Sequence, residues 1–225
     1  LTNSYRGVPF NFIDNFDIAA DGKIYITEPS TKYPQSNDFM DIFEGKPHGR
    51  IYVYDPKTKT TELLLENLYF PNGIQISPDQ QTLYFAETTA ARKVDTTSQD
   101  KMLAKLNFLE GLPGAPDGIE FNSKGQLWVA TPSFRDFISD RMIRFMPIKR
   151  ILARTPRFIH HELVNTREMG GLLIDLHKWP RLQKILRSKD VGKIKFVTTI
   201  LEKHGKLYFG SLIDNAFEYL IYRSL

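Results

Sequence analysis

One phrase, written three times and half-written a fourth, constrains this chain more than any other feature. Phe70-Pro71-Asn72-Gly73-Ile74-Gln75-Ile76-Ser77-Pro78-Asp79 runs directly into Gln80-Gln81-Thr82-Leu83-Tyr84-Phe85-Ala86-Glu87-Thr88. Ile74 and Ile76 alternate with polar neighbours and Ser77-Pro78-Asp79 cannot continue a strand, so the phrase predicts two extended segments around a polar turn. It recurs upstream between Asp14 and Thr27 and downstream between Pro116 and Ala130, and its second half returns as Lys203-His204-Gly205-Lys206-Leu207-Tyr208-Phe209-Gly210. Between the first two copies, Gly49 to Leu65 supplies another strand, turn and strand, with Asp55-Pro56 opening the turn. Four strands therefore fit between Asp14 and Asn72. Asn72 and Asp117 stand 45 residues apart, and Tyr84 and Trp128 stand 44 apart. Repeats of about 40 to 50 residues with four strands each are the signature of β-propeller blades, and the fold class is all-β.

The interval from Trp128 to Tyr208 is 80 residues and needs an insertion. It is placed near 134–157, where Ile138, Met142, Phe145 and Met146 share a helical face and Pro147 interrupts it. Arg141, Arg144, Lys149, Arg150 and Arg154 lie on the other side. Such a helix either lies on an anionic bilayer surface or caps the propeller with its apolar side inward. The segment from Tyr33 to Pro47 has no sustained period and is expected to loop across a surface.

The remaining composition limits what the chain can do. At 225 residues it suits one domain, spanning 1–225, with a substantial core. No apolar run approaches the ~20 residues of a membrane helix. The chain starts at Leu1, directly before a repeat, so it is expected to be part of a longer protein whose targeting segments lie upstream. With no cysteine there is no disulfide, thiolate metal site or cysteine nucleophile. The absence of any Asn-x-Ser/Thr sequon weakly disfavours heavy glycosylation. A net charge of +4, with basic residues dispersed among acidic ones, and no recognisable motif argue against nucleic acid as a partner.

In a propeller the inner strands begin near the central channel. Asp14 or Asn15, Asn72 and Asp117 hold that head position in three successive repeats. Converging carboxylate and amide oxygens are what calcium requires, at about six to eight ligands. Asn-Gly and Asp-Gly are also ordinary turn pairs, so the register of the recurrence is what favours a metal.

At these residues the sequence resembles the strictosidine synthase-like family. The match is carried by Phe70-Pro71-Asn72-Gly73-Ile74, Ser77-Pro78-Asp79 and Ala86-Glu87-Thr88, preceded by Phe12-x-Asp14-Asn15-Phe16-Asp17-Ile18, Asp21-Gly22 and Ser30-Thr31-Lys32-Tyr33. The characteristic region spans about 12–92. The resemblance implies a six-bladed β-propeller akin to the calcium-dependent paraoxonases, with this chain supplying about the last four blades. It also implies a membrane anchor upstream, a lumenal or extracellular location and a glycoprotein family. Asn72 matches the family's asparagine calcium ligand and Asp117 the first residue of its Asp-Asn pair, whose second residue is Gly118 here. Asp14 stands where the hydrolases carry asparagine, and Asn15 where they carry aspartate. The metal ligands implied are therefore Asp14, Asn72 and Asp117, the cofactor Ca2+, and the catalytic base is unassigned. The glutamate that acts as acid and base in the plant synthase falls on Thr198, and a nearby histidine position falls on Phe196. A hydroxyl cannot exchange protons near neutral pH as a carboxylate can, so alkaloid condensation is not expected.

Other residues carry weaker signals. His160 and His161, being adjacent, would face opposite sides of a strand. Glu87 either binds ligand or is a satisfied strand-end acid, and Glu202 is expected to be solvated in a turn. Trp128, Tyr25, Tyr84 and Tyr208 are expected as matched core aromatics. Ser133 and Ser211 lack a Gly-x-Ser-x-Gly context. Two functions stay open: a calcium-dependent hydrolase of small aryl esters or lactones, and a membrane-associated, non-catalytic binding or adaptor propeller with a structural calcium.

Overall fold

The computed structural model describes residues 1–89, 112–134, 151, 155, 168–177, 181–191, 194–213 and 218–221. Apart from a 3-10 turn at Gln35–Asn37 and helix α1 at Asp38–Glu44, the named elements are strands. In chain order these are β1 Ser4–Tyr5, β2 Val8–Pro9, β3 Phe16–Ile18, β4 Ile24–Glu28, β5 Gly49–Asp55, β6 Thr60–Leu68, β7 Pro71–Ile76 and β8 Leu83–Glu87. They continue as β9 Gly114–Ala115, β10 Ile119–Phe121, β11 Leu127–Thr131, β12 Ser133–Phe134, β13 Gly170–Asp175, β14 Arg181–Leu186, β15 Val197–Lys203, β16 Lys206–Ser211 and β17 Glu218–Ile221. The insertion expected near 134–157 and the pair His160-His161 fall almost wholly outside the described residues.

The chain forms two compact units, Leu1–Asn107 with Phe145–Arg154 and Phe108–Arg144 with Thr155–Leu225. In the first unit β3-β4-β5-β6 make one antiparallel four-stranded sheet in sequence order, followed by the β7-β8 hairpin. The four strands expected between Asp14 and Asn72 are these. In the second unit β10-β11-β13-β14 make a four-stranded sheet and β15-β16-β17 a three-stranded one.

The turns form for local reasons. Ser77 and Asp79 close the β7-β8 loop, with Ser77 Oγ donating to Asp79 Oδ1 at 2.5 Å and accepting from the Thr82 N–H. Gly22 (φ 93°) and Gly125 (φ 72°) take the left-handed conformation that a side chain would resist, so Asp-Gly and Lys-Gly mark equivalent hairpins. Alternation then buries one face of each strand. Ile51, Leu68, Ile74, Leu83 and Phe85 form the core of the first unit, and Trp128, Leu173, Val197, Ile200, Leu207 and Phe209 that of the second. Burying each such side chain is worth about 1.5–3 kcal/mol.

Two local expectations change. The Tyr33–Pro47 segment contains α1, whose two turns are too short to produce a sustained period and which ends on left-handed Gly45. Glu202 lies within β15 rather than in a turn, and it is half-buried and paired: its Oε2 accepts from Trp128 Nε1 at 2.7 Å and from Asn122 Nδ2 at 3.0 Å. Sequence spacing shows where a hairpin turns but not that a neighbouring repeat sends an indole N–H to the same carboxylate.

Candidate functional site

The strand register fixes which residues are equivalent. Phe16 pairs with Ile26, Ile74 with Phe85, Ile119 with Val129 and Ile200 with Phe209. Two residues before each first partner stand Asp14, Asn72, Asp117 and Thr198. The backbone repeats as well: Asp14 N–H donates to Thr27 O at 3.2 Å and Asp117 N–H to Ala130 O at 3.0 Å. Asp14 and Asn72 belong to the first unit and Asp117 to the second.

Gly118 has a physical cause. Its N–H donates to Thr198 O at 3.0 Å, and a Cβ on Gly118 would lie 2.4 Å from that oxygen. The second residue of the expected Asp-Asn pair is thus displaced by the backbone of β15. No side-chain donor can stand there without moving that strand.

Two residues after each second partner stand Glu28, Glu87, Thr131 and Ser211. In the first unit this position braces the chain entering the next head. Glu28 Oε1 accepts from Asn11 N–H at 2.8 Å and Glu87 Oε1 from Tyr69 N–H at 2.7 Å. Both glutamates are buried. Glu87 thus ends its strand with Oε1 held by backbone. Tyr52 O–H donates to Glu28 Oε2 at 2.7 Å, and burial together with that carboxylate pushes the phenol up to about 12 against the pull of Arg50. In the second unit Ser211 Oγ bonds Lys195 O at 2.5 Å, while the buried Thr131 hydroxyl has no hydrogen-bond partner among the described residues.

The entry segments of the first two heads meet, since Phe12 and Phe70, each two residues before its head, contact edge-on at 6.0 Å between centroids. Asn72 is buried and donates its amide to Thr88 Oγ1 at 3.4 Å, so its Oδ1 is the end it can offer to a cation. The Asp14 carboxyl is raised to about 6 by desolvation and then by the Asp38 charge on α1, although the residue itself keeps contact with solvent. Desolvated acid oxygens in need of a counter-charge fit a hard divalent cation. Among the described residues no group of three or more His, Cys, Asp or Glu is placed to hold a metal, so any such ion would depend on amide and backbone oxygens too.

A second polar cluster, not recognised as chemistry in the sequence, occupies the β4-β5 connection. Strand β4 runs antiparallel to β3, so this connection lies at the head end of the sheet. Asp41, fully buried on α1, accepts at Oδ2 from Ser30 Oγ at 2.5 Å and lies 2.9 Å from His48 Nδ1. His48 Nε2 is 3.8 Å from Glu44 Oε2. Partial desolvation opposes ionisation of Glu44, yet hydrogen bonds from Lys32, Lys46 and Tyr33 pull it down to about 2. Only Ser30-Thr31-Lys32-Tyr33 hinted at this cluster, and its partners lie 11 to 18 residues on.

A Strictosidine synthase family model matches residues 14–100. Protein Strictosidine synthase-like 13 of Arabidopsis thaliana is 38% identical over 156 residues, covering 69% of this chain and 39% of the relative. The adipocyte plasma membrane-associated protein of Rattus norvegicus is 32% identical over 217 residues, covering 92% of this chain and 56% of the relative. The chain belongs to the strictosidine synthase-like family. It spans about half the length of such relatives. Among solved structures, a gluconolactonase from Xanthomonas campestris superposes with a TM-score of 0.56 at 17% identity, over 94% of this chain and 58% of the other. The calcium-binding protein regucalcin from Agrobacterium tumefaciens does so with a TM-score of 0.50 at 16% identity, over 90% and 55%. At these identities the likeness is one of fold, and this family member is built as those β-propellers are. No helix among its described residues is long and apolar enough to cross a membrane.

Proposed function

We propose that this protein is a calcium-dependent hydrolase of aryl esters or lactones, built as part of a six-bladed propeller of which residues 1–225 supply about the last four blades. The observation that carries the reading is the shared register of Asp14, Asn72 and Asp117, each two residues before an equivalent paired residue, Phe16, Ile74 or Ile119. Their oxygens are assigned as ligands. When bound, calcium would supply electrostatic stabilisation of the oxyanion that develops on an attacked carbonyl. The chain's own part is to hold a buried amide oxygen at Asn72 and, at Asp14, a carboxylate whose pKa is raised to about 6, and to keep that geometry through the Glu28 and Glu87 braces. Solved relatives of the same fold that are named as a gluconolactonase and as a calcium-binding protein support the choice of chemistry. Thr198, at the fourth head, offers no acid or base, so the protein is assigned no strictosidine-forming activity. Membrane association on the lumenal or extracellular side is proposed from the membrane-associated mammalian relative.

A second reading has one observation of its own. With the Gly118 position filled by Thr198 O, the fourth oxygen donor of the family pattern is missing, which suits a structural ion in a binding propeller. The test is turnover of phenyl acetate and of five- and six-membered lactones by the full-length protein. Activity that EDTA abolishes, calcium restores and Asn72→Ala reduces at least tenfold supports the hydrolase. No turnover, with a melting temperature that still falls on chelation, supports the structural ion instead.

A further inference from the structure

The hydrolytic reading leaves its base unnamed, and the head end of the first unit contains a histidine built for that role. We infer that His48 is the general base of the hydrolysis, with Asp41 as its positioning residue. A carboxylate has only acceptors, so the 2.9 Å contact from Asp41 Oδ2 places the proton on His48 Nδ1 and leaves the lone pair on Nε2. Asp41 cannot drift, because it is fully buried and bonded at 2.5 Å by Ser30 Oγ. Ser30 gives its proton to Asp41 rather than to the imidazole, so it is a support and not a nucleophile. His48 itself is held by its carbonyl, which accepts from Thr31 N–H at 3.2 Å and Thr31 Oγ1 at 2.9 Å, and by the Tyr33 ring edge-on at 6.1 Å. Its side chain keeps 19% of its surface in solvent.

Its place in the fold brings it to the head residues. Ser30 O accepts from Asn11 Nδ2 at 3.2 Å, three residues before Asp14. Gly49, next to His48, packs so closely on Pro71 that a Cβ there would lie 2.1 Å from the Pro71 ring, and Pro71 leads into Asn72. The residues that hold and follow the histidine therefore touch the approaches to Asp14 and Asn72. The charged groups facing it are Asp41 and Glu44 from α1, with Lys32 and Lys46 on Glu44.

The step balances on water alone. A water O–H bond breaks, its proton goes to Nε2, and the oxygen's pair forms the bond to the acyl carbon as the carbonyl π pair moves onto its oxygen. Collapse then expels the alkoxide, which takes the proton back from Nε2.

The inference rests on the hydrolase reading, and the experiment separates the two. In the full-length protein with calcium, His48→Gln lowers kcat for phenyl acetate at least 100-fold with KM little changed. Asp41→Asn lowers kcat less than His48→Gln does, again with KM little changed. Nitrogen-detected NMR of the imidazoles, which needs no turnover, shows His48 as the Nδ1–H tautomer at pH 8. A wild type that turns over while His48→Gln keeps its rate overturns the inference and leaves the hydrolase standing. An Nε2–H tautomer overturns it even if His48→Gln fails to fold. A wild type with no turnover removes both.

Discussion

Among the described residues, the buried carboxylates of the first unit lie at the head end, whereas the buried Asp175 and half-buried Glu202 of the second lie at the turn end. Glu28, Glu87 and Asp41 sit where β4, β8 and the β4-β5 connection meet the heads, and each accepts hydrogen bonds that fix the chain leading to Asp14, to Asn72 or to His48. In the second unit the same register positions carry Thr131 and Ser211, and the heads are Asp117-Gly118 and Thr198. Two of its acids lie at the opposite ends of the strands: Glu202 grips Trp128 and Asn122, and Asp175 pairs with Arg181 at 3.1 Å. Four hairpins with one register thus spend their charge differently. At the first head, desolvation and the Asp38 charge raise the cost of ionising Asp14, whereas at the turns Glu202 joins two repeats and Asp175 closes its own hairpin.

That contrast can be broken by substitution. The largest effect is expected from Trp128→Ala, which empties a fully buried site and strips Glu202 of its indole partner. A loss of about 4 kcal/mol in urea unfolding is expected, and a loss below about 1 kcal/mol would mean that the second unit is not organised around this residue. Glu28→Ala should cost about 2–3 kcal/mol, because the Asn11 N–H and Tyr52 hydroxyl both lose their acceptor. If the heads matter for metal, calcium affinity measured by calorimetry falls with it, which a substitution at Glu202 should not cause.

Gly118→Asn, which writes the family's residue back into the chain, should destabilise by about 1–3 kcal/mol through its clash with Thr198 O. A stabilised variant with tighter calcium binding would show instead that β15 yields readily. The smallest effect concerns Asp14. Its folded pKa, about 6, lies above the ordinary 3.8, so protonation favours the folded state. The stabilisation is fully present below pH 3.8 and is lost as pH rises through 6. Asp14→Asn should therefore be slightly more stable than wild type at pH 7 without calcium, by less than about 1 kcal/mol since solvent screens an accessible carboxylate. The gap should close below pH 4, and millimolar calcium should reverse it. Equal pH curves for the two proteins would show that the head is not desolvated.

Turn residues and alternation announced the hairpins because they act over a few residues: Ser77-Pro78-Asp79 and Asp21-Gly22 can do little but turn, and Ile74, Ile76, Leu83 and Phe85 have one face to bury. Of the four aromatics expected in the core, Trp128 and Tyr25 are buried there, whereas Tyr84 and Tyr208, at the same register position, are only half-buried. The braces were not legible, although Glu28 and Glu87 were in plain view. Only strand pairing shows that a glutamate ending one strand lies beside the backbone that enters the one before it. Helix α1 escaped for want of length, and with it the partner of His48.

The amino-acid order alone settled what each repeat is: where its strands turn, which face is apolar, and which oxygen-bearing residue stands at its head. Those are properties of neighbours along the chain. Tertiary structure decided what surrounds those polar residues, by bringing Asp41 to His48, Asp38 to Asp14 and the Thr198 carbonyl into the space of the Gly118 side chain. A carboxylate acquires a role only from what surrounds it, and those surroundings come from segments many residues away.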